Sequence, residues 1–360
     1  HMPGDIELQA FLAGNDILLC PDNLSQAIEL IKVAIGQNVL LLDYLNQSCK
    51  KILMIKKWSG AFDNQVKSQD MQLITPGSEL LNKKLSQQSI TVLRNNDNLL
   101  PLVDLDSLKI AYVSIGNDHG DIFYNRLNNY LPISHYMYNY NVDSLLIDLK
   151  PYDLVIVGAH YMNNNFWDKH TVTSLDSTFL QQLSMQNKTI INVFGHPKIL
   201  NSFDLTYVDG LILSYQNSKF AQDLTAQLIF GSISATGRIP VNTDQFFVGD
   251  GVDVFSVRDL EFVLPLEVGI DSDSLVKIDS IIQLSIRENV MPGCQIVVGR
   301  YGKIFYNEVF GFHTYDSIQP VLDTDLYDIA SITKIVSAAP IFMQLVNNRD
   351  IKLHKKLRHY

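Results

Sequence analysis

The sequence has 360 residues, 46% hydrophobic and 18% charged, a balance that allows a sizeable core and two or three domains. Its formal net charge is -10, with 28 Lys and Arg against 38 Asp and Glu, which excludes a surface built to neutralise nucleic-acid phosphates. No apolar run approaches the roughly 18 residues that span a bilayer, and Cys20, Cys49 and Cys294 lie far apart in no C-x-x-C pair, which suggests neither a disulfide framework nor a zinc site.

His1-Met2 reads as a cloning remnant and the last residues follow a helical pattern without a cap, so the chain reads as a portion of a longer protein. Residues 13–21 form an apolar run between a Gly-Asn turn and Pro21, the pattern of a buried strand. Ser25 is placed to cap a helix over 26–35, with Ile28, Ile31 and Ile35 on one face. A second helix follows over 40–58, and its Lys50-Lys51 and Lys56-Lys57 pairs read as a solvated face. A lone strand with trailing helices leaves its hydrogen-bonding edges open, so it needs partners from elsewhere. The segment Pro3-Gly4-Asp5-Ile6-Glu7, with Leu12-Ala13-Gly14-Asn15-Asp16-Ile17-Leu18-Leu19, resembles the last strand-and-helix unit of the (β/α)8 barrel in glycoside hydrolase family 3, particularly its β-N-acetylglucosaminidases. The resemblance implies that the aspartate nucleophile and the general-acid histidine belong upstream of this sequence. It would also put Cys20 and Pro21 at the catalytic end of a barrel strand, where a structural role is expected of them.

Residues 84–94 continue a helical pattern and end at Asn95-Asn96-Asp97-Asn98, with Leu99-Leu100-Pro101-Leu102 beyond, which resembles the same family's entry into its second domain. Strand-like runs at 109–115, 153–159, 189–194 and 210–215 alternate with helical patterns at 174–185 and 219–230. That alternation predicts an α/β fold, a mostly parallel sheet sandwiched by helices. Ligands of such sheets gather at the carboxyl ends of strands, which points to the turns holding His119, His160 and His196. Those histidines share no metal-ligand spacing, and polar contacts of the turns are the plainer reading. Ile229-Phe230-Gly231 through Gly237-Arg238-Ile239-Pro240-Val241 resembles the motif that closes the family's sandwich domain, with Ala235-Thr236 in place of the usual Pro-Ser. Gly231 and Gly237 are expected at sharp turns, and Arg238 is expected to anchor the loop.

Residues 251–265 read as a linker. A helix over 274–288 capped by Asp271 or Asp273, then Pro292-Gly293, then strands at 294–299 and 303–310 joined as a hairpin at Arg300-Tyr301-Gly302, precede Ser331-Ile332-Thr333-Lys334. A serine hydroxyl needs a proton acceptor before it attacks, and a lysine three residues further along a helix lies on the same face. This order, with Thr324-x-x-Tyr327-Asp328-x-Ala330-Ser331-x-Thr333-Lys334, resembles the start of class C β-lactamase-like serine hydrolases. The resemblance implies Ser331 as nucleophile and Lys334 as its proton acceptor. It also places the family's Tyr-x-Asn and Lys/His-x-Gly elements downstream of this sequence, and a lost part of an oxyanion hole costs about 10²–10³ in rate.

The expected domains are thus the end of a (β/α)8 barrel (1–84), an α/β/α sandwich (85–250), a linker (251–265) and the first part of a β-lactamase-like unit (266–360). The implied parent is a hydrolase acting on terminal β-N-acetylglucosaminides, plausibly peptidoglycan-derived, fused to a serine hydrolase and sited in the periplasm or at the cell surface. No cofactor and no metal is expected, nor a nucleic-acid partner, and the sequence leaves the oligomeric state open. This stretch alone is expected to lack glycosidase activity, since neither group that a retaining glycosidase needs falls within it. The alternative is a non-catalytic scaffold or binding module linking two enzyme domains.

Overall fold

The computed structural model describes residues 4–19, 21, 23–62, 75–138, 141–161, 172–258 and 260–359. The chain divides into two compact units, residues 1–73 and 74–360.

The first unit holds three helices, α1 (Asp5–Leu12), α2 (Leu24–Gln37) and α3 (Val39–Trp58). Asn23, not Ser25, caps α2 by accepting from the Gln26 amide at 3.0 Å. Phe11 and Ala27 are its buried apolar side chains among the described residues, and Phe11 packs on Tyr44 with ring centroids 5.4 Å apart. Asp16 accepts from Ser48 Oγ at 2.6 Å and from Lys51 Nζ at 2.9 Å. The strand expected over 13–21 does not form in residues 13–19, and Ile17 and Leu19 are exposed. An apolar run becomes a strand only where a neighbour completes its ladder, and no described residue pairs with this one. Cys20 lies outside the described residues.

The second unit opens with α4 (Pro76–Ser89), whose N-terminus is closed by a reciprocal Thr75–Ser78 capping box. The helix expected to run to residue 94 stops at Ser89. Ile90, Thr91 and Val92 are β-branched, and the chain turns there into β1 (Thr91–Asn95). Then come β2 (Ile110–Gly116), α5 (Asp121–Asn128), β3 (Ser134–Met137), α6 (Val142–Leu149), β4 (Leu154–Tyr161), α7 (Ser174–Gln186), β5 (Lys188–Gly195), β6 (Gly210–Leu213) and α8 (Lys219–Ile229). The six strands lie in the order β1-β6-β5-β4-β2-β3; β2 to β6 are parallel and β1 pairs antiparallel with β6.

Both faces of this sheet are buried, which is why its strands read as continuous apolar runs. Ile110, Tyr112, Leu154, Ile156, Ile190 and Ile212 pack with Phe123 of α5 and Leu224 of α8. Their strand neighbours Ala111, Val113, Val155, Val157, Ile191 and Val193 pack with Leu145 of α6 and Phe179 of α7. The loop entering β2 is pinned at its start, where Asn95 accepts from the Leu100 amide at 2.7 Å and donates to the Leu100 carbonyl at 2.8 Å.

Arg238 anchors its loop as expected, donating to the Thr236 and Gly237 carbonyls at 3.0 Å and to Asp253 at 2.7 Å. The two glycines of that motif serve different needs. Gly231 has φ +76, a backbone conformation that favours glycine, whereas at Gly237 a Cβ would meet the Ile90 carbonyl oxygen at 2.4 Å.

Residues 251–265 are more than a linker. Val252 and Val254 bridge to Val92 and Ala235, and β7 (Glu261–Phe262) pairs parallel with β9 (Lys303–Gly311). After α9 (Ser272–Arg287), capped by Asp271, β8 (Gly293–Arg300) and β9 form the expected hairpin, and Tyr301 and Gly302 both take the positive φ of a two-residue turn. The small sheet has the order β7-β9-β8. The last helix, α10 (Ala339–Asn347), follows a π-helical turn over Lys334–Ala338.

The small sheet is tied to α4, α5 and α8. Lys83 forms an ion pair with Glu267 at 2.6 Å, with side chains 3% and 14% exposed. Gln227 donates to the Phe262 carbonyl at 3.1 Å and accepts from its amide at 2.8 Å, so one side chain serves the peptide as a neighbouring strand would. Arg126 lies 3.6 Å over the Phe262 ring while pairing with Asp223 at 2.6 Å.

Candidate active site

Ser331 sits in a short 3-10 turn, Ala330–Ile332, and Lys334 begins the π-helical turn that follows. The one-turn spacing inferred from sequence still brings them together, with Lys334 Nζ 2.9 Å from Ser331 Oγ. The turn is set locally: Asp328 accepts from the Ala330 amide at 2.8 Å, and Ala330 takes φ 42, a costly conformation for a side chain with a Cβ. Both Ser331 and Lys334 are exposed, as are their neighbours Ile332, Ile335 and Val336.

A cleft of about 250 Å³ is lined by Gly293, Phe312, His313, Val321, Asp325, Leu326 and Tyr327, the last of these just before the turn in the chain, and neither Ser331 nor Lys334 lines it. His313 Nε2 contacts Asp325 at 2.6 Å, and Asp325 also accepts from the Leu322 amide at 2.8 Å. The Leu322 amide first, and His313 after it, hold the Asp325 carboxyl below its usual range. Burial first, and then Asp325 and Cys294, push the Tyr327 hydroxyl up.

Chemically, this arrangement supplies a nucleophile with an adjacent amine. To take the serine proton the amine must be neutral at that moment, a state that exclusion of water favours.

The carboxyl ends of β2 and β4 lie where the order of the parallel strands reverses, the usual place for a ligand crevice. Here that place is filled by side chains. Tyr112 and His160 are fully buried, and the Tyr112 hydroxyl lies 2.9 Å from His160 Nε2. Across the ring, His160 Nδ1 lies 2.7 Å from Asn217 Oδ1, which also accepts from Gln222 at 2.9 Å. Asn217 in turn donates to Asp118. The pattern assigns the Nδ1–H tautomer, with Nε2 accepting from the tyrosine. Burial first lowers the His160 pKa, against the opposing pull of Asn217 and Asp118.

The three histidines at strand ends therefore do different things. His160 is a core group stacked on Phe194 at 4.6 Å, while His196 accepts from the Lys198 amide at 3.2 Å and caps a short turn. The His119 carbonyl faces the Tyr112 hydroxyl at 3.4 Å. The sequence carries no signal for Asn217, which meets His160 from the turn before α8, or for Gln222 of α8, which donates to Asn217 and so holds it in place.

Residues 278–360 match the Beta-lactamase family model. Protein flp of Staphylococcus aureus is 31% identical over 88 residues, covering 23% of this chain and 18% of that protein. A putative beta-xylosidase of Formosa agariphila is 23% identical over 266 residues, covering 64% of this chain and 34% of that protein. The chain thus spans about a third or less of these curated relatives.

Among solved structures, a fungal multi-domain GH3 beta-N-acetylglucosaminidase superposes with a TM-score of 0.53 at 19% identity, covering 81% of this chain and 33% of its own. A glycoside hydrolase family 3 beta-N-acetylglucosaminidase from a Paenibacillus species gives 0.50 at 17% identity, covering 67% and 48%. At such identities the likeness is one of fold. The chain joins a domain with the fold of the family 3 glycoside hydrolases to a C-terminal stretch of the β-lactamase type.

Proposed function

We propose that this chain is the junction of a two-enzyme hydrolase, a family 3 β-N-acetylglucosaminidase fused to a serine hydrolase, and that Ser331 and Lys334 are the nucleophile and its proton acceptor. The observation that carries the reading is the 2.9 Å approach of Lys334 Nζ to Ser331 Oγ inside the stretch that matches the β-lactamase family. In the proposed step Ser331 Oγ attacks an ester or amide carbonyl carbon while its proton passes to Lys334. The leaving group departs with a proton, and water then releases the acyl group. The natural substrates would be peptidoglycan-derived, with N-acetylglucosaminides for the glycosidase, and the site of action would be the periplasm or cell surface.

Incubation of the chain with a fluorescent penicillin, followed by peptide mass analysis, tests the assignment. The expected adduct lies on Ser331 and is absent from Ser331→Ala, and an adduct that survives that substitution overturns it. No turnover of 4-nitrophenyl N-acetyl-β-D-glucosaminide is expected from these 360 residues, and measurable release of nitrophenol would refute the placement of the glycosidase groups outside them.

A second reading, a scaffold that holds two enzymes in fixed geometry, is favoured by the nearly buried Lys83–Glu267 pair and the Gln227–Phe262 bonds, which lock the small sheet onto the larger one. A chain that takes no label at Ser331 after prolonged incubation would support it.

A further inference from the structure

Helical spacing brings Ser331 and Lys334 to one side, provided that the chain enters its helical run immediately before Ser331. Ala330 is that entry. It takes φ 42, the left-handed region that is costly for a residue with a Cβ, and such strain persists only where something nearby offsets it. Packing does not offset it, since every residue from Leu326 to Phe342 is exposed.

A side chain two residues earlier does. Asp328 accepts from the Ala330 amide at 2.8 Å, the bond by which an aspartate closes a turn on its own backbone. The Ile332 amide then donates to the Ile329 carbonyl at 2.9 Å. Apart from Lys334, whose Nζ lies 2.9 Å from Ser331 Oγ, no other side chain bonds to residues 330–333 among the described residues.

We propose that Asp328 is a positioning residue for the Ser331–Lys334 pair. By accepting the Ala330 amide it holds Ala330 in the left-handed region, and so keeps Ser331 Oγ against Lys334 Nζ. This role rests on the reading of Ser331 as nucleophile, yet the geometry behind it is measurable without acylation.

A thiol in place of the Ser331 hydroxyl reports the approach of Lys334, because a neighbouring ammonium favours the thiolate, the form that reacts. In the full chain carrying Ser331→Cys, alkylation at position 331 by iodoacetamide is followed against pH by peptide mass analysis. Adding Asp328→Ala is expected to move the profile to higher pH and to slow alkylation at neutral pH about threefold. The direction separates position from charge, since loss of a carboxylate's charge alone would favour the thiolate and move the profile to lower pH. Adding Asp328→Asn instead, whose side-chain oxygen can still accept the amide, is expected to leave the profile in place or lower it. Adding Ala330→Gly to the alanine variant should restore the profile, since glycine enters the left-handed region freely.

A profile that Asp328→Ala leaves unmoved or lowers, an Asp328→Asn profile raised as far as that of Asp328→Ala, or an Ala330→Gly that restores nothing overturns the proposal. So does a large fall in melting temperature with Asp328→Ala, which would make Asp328 a support of the fold and not of the pair. With Ser331 in place, Asp328→Ala is expected to slow labelling by a fluorescent penicillin about tenfold. If the unsubstituted chain takes no adduct while the thiol profiles move as stated, the nucleophile reading fails and the positioning by Asp328 stands. An adduct on Ser331 together with unmoved thiol profiles rejects the positioning alone.

Discussion

The larger sheet and the serine turn are two opposite ways of carrying a recognisable sequence. Every residue of β4 is buried, whereas from Leu326 to Phe342 every residue is exposed. The sheet closes its core with its own helices, so its positions are held by packing from both sides. The serine turn is held by local backbone bonds, chiefly through Asp328 and the Ile329 carbonyl. A motif can thus be placed at contact distance by helix geometry alone, without the surrounding enclosure that gives such a pair its chemistry.

The sharpest way to break this contrast is to empty each region in turn. Phe194 is fully buried, stacked on His160 and edge-on to Phe123 at 5.2 Å. Phe194→Ala is expected to cost about 3–5 kcal/mol in urea unfolding. Phe342 is 57% exposed, and Phe342→Ala is expected within about 0.5 kcal/mol. Comparable losses at the two sites would show that the last helix shares the core.

Next in size is the tie between the sheets. Lys83→Met leaves Glu267 charged in a nearly buried place and is expected to cost about 3 kcal/mol. Adding Glu267→Gln should recover most of that loss, because the glutamine oxygen can still accept from the Leu264 amide, now at 2.8 Å from Glu267. Failure of the double variant to recover would mean that the methylene packing of Lys83, and not its charge, holds the junction.

What was legible in the sequence follows the same divide. The strands β2, β4, β5 and β6 were readable because burial on both faces writes an unbroken apolar run, ended by a turn. β1 was missed because its five residues follow α4 directly, and its pairing with β6 lies more than a hundred positions away; the β-branched trio Ile90, Thr91 and Val92 was the available clue. The short edge strand β3, with sequence Ser-His-Tyr-Met, carries no apolar run at all.

Residues 13–21 show the reverse error, an apolar run without a ladder partner among the described residues. The contact between Ser331 and Lys334 was legible because three residues of helical chain set it. The open cavity of about 630 Å³ between α5, α8 and the small sheet was not, since Phe220 of α8 and Phe262 of β7 come to line one space only when the small sheet docks.

A smaller effect tests the sheet's own polar plug. His160 and His135 both have pKa values lowered from 6.5, first of all by burial, so the folded state binds these protons less readily than the unfolded chain. Their contribution to stability is therefore fully present above about pH 6.5 and is lost as pH falls through the lowered folded values, with a limiting slope of about 1.4 kcal/mol per pH unit for each proton. Melting temperature measured from pH 8 downward should fall below pH 6.5. His160→Gln, which keeps a donor and an acceptor, should reduce that fall, and an unchanged profile would move the acid sensitivity to other groups.

The smallest expected effect on stability is also the one that separates position from chemistry. The bond between Lys334 Nζ and Ser331 Oγ is exposed to water, and hydrogen bonds of that kind contribute little net stability because water replaces either partner. Ser331→Ala and Lys334→Ala are each expected to shift unfolding by no more than about 0.5 kcal/mol. On covalent labelling by a penicillin the two should differ. The serine variant has no nucleophile and takes no adduct, whereas the lysine variant keeps the hydroxyl and loses only its proton acceptor, so its labelling should slow by about 10²–10⁴ and recover as pH rises. If both variants label alike, Lys334 is a solvated helix residue that happens to lie near the serine. A large loss of stability in either would instead place the turn inside a packed core, as β4 is.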